Sequence, residues 1–294
     1  MKENWGGTWT EEKLNIFQKY VVAYLTIMHN QRPKFKGWPK RIIYFDGFAG
    51  SGSQNIDSYF DENKERMSLM DLCITEEETQ VYKGSAERVL GLDKQFDEYY
   101  FVDIDNKSLL SLQEVLRKYD NFNQCKFIEQ DTNQALKKFS ENLSKKEVAL
   151  ILLDPFGMQV EWESIKQFAG KRVDIWILVP TGVIVNRLLD KKGELNNISK
   201  LKRFFGLSET DIKEEFYTKR NEITLFGEAE RIDKIPNAIP KIASLYIKQL
   251  KTIWKYVSET PFVLKNKKNV PIYHFVFASN NENAKRIANQ IIQK

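Results

Sequence analysis

The amino-acid sequence predicts an α/β fold: a parallel sheet with helices on both faces, finished by an antiparallel hairpin. Three observations predict it. Apolar, β-rich runs alternate with stretches of helical spacing from residue 41 to residue 180. Aspartates end these runs or follow them directly, at Asp46, Asp103, Asp131 and Asp154. Near the C-terminus, "PFVL" (261–264) and "PIYHFVFAS" (271–279) are separated by a stretch so short that a hairpin is the economical connection.

The elements follow in order. A first helix is expected over 11–28, where Leu14, Phe17, Val21, Tyr24, Leu25 and Met28 share one face. Thr10 is its expected N-cap, followed by acids in the first turn. "RIIYFD" (41–46) is the first strand. "YYFVD" (99–103), "CKFIEQ" (125–130), "VALILLD" (148–154) and "VDIWILVP" (173–180) are the next four. Helices are expected between them, at 107–119 and 132–143. After the fifth strand the chain reads as helices and charged turns, an α-helical insertion over 184–258. It includes a long helix in "NAIPKIASLYIKQLKTIWKYV", and "ENAKRIANQIIQK" closes the chain. No repeat or low-complexity linker divides residues 1–294, so a single domain is expected.

Composition agrees. The 294 residues are 42% hydrophobic, 13% aromatic and 29% charged, a globular profile able to bury a sizeable core. No run reaches the roughly 18 apolar residues of a membrane helix. "MKENWGGTWTEEKLN" has no apolar segment of the secretory kind, so a cytoplasmic location is expected. Two cysteines, Cys73 and Cys125, and two histidines, His29 and His274, are too few and scattered for a metal site or a disulfide framework. Cys125 reads as a core residue. The net charge of +5 permits a nucleic-acid partner without requiring one. Two basic segments stand out, "QRPKFKGWPKR" (31–41) and "LKNKKN" (264–269). The first interleaves Arg32, Lys34, Lys36 and Lys40 with Phe35 and Trp38, the make-up of a phosphate-contacting, base-stacking loop or of a solvated connection.

In an open α/β sheet, ligands sit beyond the carboxyl ends of the strands. One terminal acid means little, but four in register, with glycines after the first, point to a binding site. "DGFAGSG" matches neither the dinucleotide G-x-G-x-x-G spacing nor the P-loop, because Ser53 and Gln54 stand where Lys and Ser or Thr belong. Phosphate cradling is therefore not expected. Small residues there let a ligand lie against backbone, while Asp46 can accept from a cationic amine. An acid ending the second strand suits ribose hydroxyls. A third acid suits an adenine amino group. Together these describe S-adenosylmethionine.

The order "FDGFAGSG", "FVDID", "EQDT" and "LLDPFG" resembles the motifs of class I S-adenosylmethionine-dependent methyltransferases, whose Rossmann-like sheet has five parallel strands and a terminal antiparallel hairpin. With "KLNIFQKYVVAYL", "KGSAERVL" and "LILLDPFGMQVEW", the chain more narrowly resembles the bacterial three-Cys-motif partner proteins, strongest over residues 13–182. The resemblance implies S-adenosylmethionine as cofactor and a cysteine-motif protein as partner. It implies that Asp46, Gly47, Phe48, Ala49, Gly50 and Gly52 form the methionine-side loop. Asp103 and Ile104 would take the ribose side, and Asp131 and Thr132 the adenine edge. "DPFG" stands in place of the catalytic D-P-P-Y-type motif, where the acid and the proline carbonyl orient a target amine and the aromatic stacks on an extruded base. Asp154, Pro155 and Phe156 would take those roles.

Two departures accompany it. Phe156 replaces the second proline and Gly157 the usual aromatic, which shifts the stacking ring by one residue. A long insertion, 53–84, separates the glycine loop from the helix beginning at Ser85, and is expected to be either a lid or docking surface over the mouth or a loose acidic loop. Gln159, Trp162 and Thr181 are weaker candidates; Trp162 is expected to pack and Thr181 to contact substrate. Neither cysteine follows a proline, which argues against a cysteine-nucleophile mechanism on cytosine. The expected activity is methylation of a nucleobase nitrogen in DNA or RNA. The alternative is a subunit that binds S-adenosylmethionine or a nucleotide beside its partner and methylates nothing. An NAD-type oxidoreductase is disfavoured by the glycine spacing.

Overall fold

The structure, a computed structural model, describes residues 8–51, 84–224, 227–266 and 268–293. Five parallel strands form the centre: β1 (Arg41–Asp46), β2 (Glu98–Asp103), β3 (Cys125–Glu129), β4 (Glu147–Leu153) and β5 (Val173–Val179). They lie in the order β3-β2-β1-β4-β5. β10 (Pro271–Ser279) then pairs antiparallel with β5, and both β8 (Tyr256–Val257) and β9 (Phe262–Lys265) pair antiparallel with β10. The α/β expectation and the terminal hairpin are both met. The strand order reverses between β1 and β4, which places the ligand-binding crevice beyond Asp46 and Leu153.

Helices cover the sheet: α1 (Thr8–Lys34), α2 (Ser85–Leu90), α3 (Asn106–Leu116), α4 (Thr132–Asn142), α5 (Trp162–Lys166), α6 (Ile198–Phe205), α7 (Glu209–Phe216), α8 (Ala238–Leu250) and α9 (Glu282–Ile292). All six apolar residues expected on the core face of α1 are buried. Its helix already includes Thr8, so Thr10 lies inside it and not at its cap. α2 begins at Ser85, as the spacing to Asp103 requires. α1 runs antiparallel to β1. Arg32, near its end, meets Asp97 beside the start of β2, whereas Lys13 meets Asp154 after β4. Among the described residues, no helix is long and apolar enough to cross a membrane.

The segment between β5 and β8 begins with a π-helical turn, Thr181–Val185, and includes α6, α7 and α8. It also holds an element that its sequence does not announce, the antiparallel hairpin β6 (Tyr217–Thr224) and β7 (Gly227–Lys234). Each strand carries mostly charged and polar residues, so the two-residue apolar period that marks a strand is missing.

Candidate active site

The glycine loop is fixed by backbone. Gly47 N–H donates to the Leu152 carbonyl at 3.0 Å and Ala49 N–H to that of Val102 at 2.9 Å. A Cβ on Gly47 would come within 2.6 Å of Leu153 Cδ2 and 2.8 Å of Thr132 Cγ2, so only glycine fits without a shift. Gly50 has φ +61°, in the left-handed region that glycine favours. Its N–H donates to Asp103 Oδ2 at 2.9 Å, tying the loop to the end of β2. Gly52 and residues 53–83 of the insertion, with the lid or docking role expected for it, lie outside the described residues.

Asp46 is fully buried. Its Oδ2 accepts from the Tyr44 and Ser85 hydroxyls, each at 3.0 Å, and Oδ1 from Phe48 N–H at 3.2 Å. Burial raises its pKa to about 6, against those three hydrogen bonds and helped by the nearby Asp154 charge. Asp46 thus holds together β1, the loop and the start of α2; among the described residues its carboxylate offers no face to solvent. Phe48 is half-buried and packs on the core.

Asp103 holds the loop as well as its own turn, since Oδ1 accepts from Asp105 N–H at 2.9 Å. Burial raises its pKa above the usual carboxylate value. Ile104 beside it is 68% exposed, a large apolar side chain presented at the strand ends. Asp131 caps α4, with Oδ1 accepting from Asn133 and Gln134 N–H at 3.0 and 3.2 Å. Its Oδ2 has no hydrogen-bond partner among the described residues. Thr132 is buried, and its hydroxyl donates to the Gly47 carbonyl. Asp131 also lines a cavity of about 260 Å³ shared with Asn133, Met158, Gln159, Ile184 and Arg203. That is a little under the roughly 300 Å³ of the smaller ligand pockets.

The residue that sequence reasoning missed is Lys13. Its ammonium donates to Asp154 Oδ2, and both residues are buried, at 3% and 5% exposure. Two carboxylates, Asp46 and Asp154, therefore share one buried cluster with a single ammonium. Their interaction is also felt by Tyr44, whose hydroxyl is pushed well above its ordinary value by burial and then by both acids. Its one trace in the sequence is spacing, since Lys13 stands four residues before Phe17, in line with the stripe that continues through Tyr20 and Tyr24; nothing local marks it as paired. Pro155 is buried and Phe156 half-buried after Asp154. The loop is braced by Tyr273 Oη donating to the Phe156 carbonyl at 3.2 Å, and by Gly157 N–H donating to Gln159 Oε1 at 2.6 Å.

Other expectations divide. Trp162 packs, edge-on to Tyr246 with ring centroids 6.2 Å apart. Thr181 is fully buried, and its hydroxyl meets His274 Nδ1 at 2.8 Å, so the substrate contact expected of it is not what this structure shows. Burial lowers the His274 pKa to about 4. Cys125 begins β3, on the edge away from the mouth, and burial raises its thiol to about 12. The basic segment 31–41 leads into the start of β1, so it too lies at the far edge, roughly 20 Å of strand away from the mouth. Of "LKNKKN", the described residues Lys265, Asn266, Lys268 and Asn269 lie at the mouth instead, because β10 enters antiparallel beside the end of β5 and pairs His274 with Val179.

No family model and no curated protein matches the chain. Among solved structures, protein LPL1258 of Legionella pneumophila, a DUF519 protein, is similar over 96% of this chain and 99% of its own, with 15% identity and a TM-score of 0.40. A protein of Clostridium thermocellum titled as a candidate rRNA methylase is similar over 67% of this chain and 87% of its own, with 11% identity and a TM-score of 0.25. Likenesses this distant fix no activity. The parallel sheet with its antiparallel edge strands, an arrangement consistent with a Rossmann-like methyltransferase fold, is read from this chain's own strand order.

Proposed function

We propose that the protein is an S-adenosylmethionine-dependent methyltransferase acting on a nucleobase nitrogen in DNA or RNA. The observation that carries the reading is the convergence at one sheet edge of the glycine loop, Asp103 with exposed Ile104, and Asp131 at its cavity. These residues fit an adenosine. Asp103 would accept from ribose hydroxyls while holding Gly50, Ile104 would cover a face of the base, and Asp131 Oδ2 would accept from its amino group. The sulfonium of the cofactor supplies the methyl group in activated form. The chain's own work is then alignment. Asp154 Oδ1 and the Pro155 carbonyl would orient the acceptor amine, with Lys13 paired to the other carboxylate oxygen. Phe156 would lie beside the acceptor ring. Lys265 and Lys268 on the β9–β10 turn, and Lys200 by the cavity, would meet a phosphate backbone.

A second reading has one observation in its favour. Asp154 is already paired with Lys13 and nearly closed to solvent, as suits a structural ion pair in a subunit that binds the cofactor or a nucleotide beside a cysteine-motif partner and methylates nothing. Calorimetric titration with S-adenosylmethionine and its demethylated product tests the cofactor first. Micromolar binding, weakened at least tenfold by Asp103→Ala, is expected. No binding of either by folded protein overturns the reading. Transfer of labelled methyl groups to RNA or DNA then separates the two functions. Asp154→Asn should abolish transfer and leave cofactor binding within a few-fold, and binding without any transfer favours the second reading.

A further inference from the structure

β10 is irregular where it passes the mouth. Its pairing with β9 steps from Pro271 with Lys265 to Tyr273 with Leu264, so Ile272 is an extra residue, a β-bulge. A bulge bends its strand and redirects the side chains beside it. The sheet does not require it, since β10 pairs with β5 without interruption from His274 to Ala278. Beyond that pairing, β5 gives way to the π-helical turn Thr181–Val185, closed by Val185 N–H donating to the Pro180 carbonyl at 3.2 Å. The turn is seated on the bulge. The fully buried Thr181 hydroxyl lies 2.8 Å from His274 Nδ1 and 3.4 Å from the Ile272 carbonyl oxygen. A Cβ on Gly182 would come within 2.0 Å of the Pro271 carbonyl oxygen and 3.0 Å of Ile272 Cα, so glycine is what lets the two backbones approach.

Beside the bulge stands Tyr273, 2% exposed. Its Oη donates to the Phe156 carbonyl, while Gly157 N–H donates to Gln159 Oε1. That carbonyl and that N–H belong to one peptide unit. Such a unit is planar and turns as a body, so a hydrogen bond at each end stops it turning. Gly157 has the freest backbone of the "DPFG" loop and is where the loop would otherwise move. With the plane held, Phe156 is presented in one direction.

We propose that Tyr273 is a positioning residue, aimed by the bulge and the π-helical turn beside it. With Gln159 it pins the 156–157 peptide, and so sets how Phe156 and the Pro155 carbonyl meet an acceptor. Its consequence for catalysis rests on the methyltransferase reading; the pinning itself does not.

Hydrogen exchange of the full chain, read by mass spectrometry, tests the pinning. Tyr273→Phe removes the hydroxyl and keeps the ring. It should speed exchange in residues 154–160 at least tenfold and leave α1, β1 and β4 unchanged. Gln159→Ala, an exposed change, should act on the same segment, whereas Tyr100→Phe on β2, away from the mouth, should not. Unchanged exchange in 154–160 of Tyr273→Phe overturns the proposal, and so does faster exchange throughout the chain. Transfer of labelled methyl groups gives the second readout: Tyr273→Phe should lower kcat at least fivefold and keep KM for S-adenosylmethionine within twofold. An unaltered kcat overturns the positioning role. If the unaltered chain methylates neither RNA nor DNA while Tyr273→Phe still speeds exchange in 154–160, the methyltransferase reading fails and the pinning stands.

Discussion

Lys13 and Asp154 are a charge pair taken out of water, and such pairs are asymmetric in their effects. Removing one partner leaves the other buried alone, which costs roughly 3–5 kcal/mol, whereas removing both charges can be nearly neutral. Lys13→Met should therefore lower the unfolding free energy by that amount in urea titrations, and adding Asp154→Asn should return most of it. Two further buried acids set a pH dependence. An aspartate ionises near 3.8 in the unfolded chain, while burial holds Asp46 and Asp174 at about 6 in the fold. Between those values the native state holds more protons than the unfolded one, so their contribution is full below 3.8 and is lost as pH rises through 6. Each is worth roughly 3 kcal/mol across that window. Asp174→Asn, compared with the unaltered chain at pH 4.5 and 7.5, should show a smaller fall in its urea midpoint. The mouth acids were legible because each closes an apolar run, where a strand has reached its end. Lys13 was not, since a lysine on an amphipathic helix ordinarily faces water, and its buried partner lies far along the chain. Asp174 was passed over inside "VDIWILV" because hydroxyls from α1 and β10, invisible in local sequence, satisfy it.

Strands and helices were readable where one face or both are buried, and not elsewhere. β1 through β5 and β10 are apolar runs and were placed within a residue or two. The β6–β7 hairpin escaped because pairing, not burial, defines it, and backbone pairing leaves no mark on side-chain pattern. Contacts between elements rest on small residues. Gly206 ends α6 at φ +66°, and a Cβ there would come within 1.9 Å of Trp162 Cδ1 at the start of α5. Gly206→Ala combines a left-handed penalty with overpacking and should cost about 2–4 kcal/mol, seen as a lowered thermal midpoint. The placement of the two basic segments separates their roles. Lys265→Glu with Lys268→Glu should weaken binding of single-stranded RNA several-fold at low salt, while Lys34→Glu with Lys36→Glu should leave it unchanged, as read by filter binding.

At the scale of the whole molecule, α1 spans the sheet from the mouth to the opposite edge. Lys13 reaches the mouth, Tyr20 reaches Asp174 in β5, and Arg32 reaches Asp97 beside the start of β2, about 29 Å of helix from Lys13. Fold class and mouth could be inferred run by run, but this bridging could not, because it depends on which face of a helix meets which strand. It also carries a consequence for how the protein is made. α1 leaves the ribosome before the strands it packs on: the carboxylate for Lys13 comes 141 residues later and the one for Tyr20 comes 154 residues later. At about 5–20 residues per second, that is a wait of roughly 7 to 30 s. Throughout it, the helix has an ammonium without its countercharge and an apolar stripe without its sheet. α1 thus waits for its place on the sheet, and the nascent chain must be kept from aggregating through that stripe until β5 has emerged.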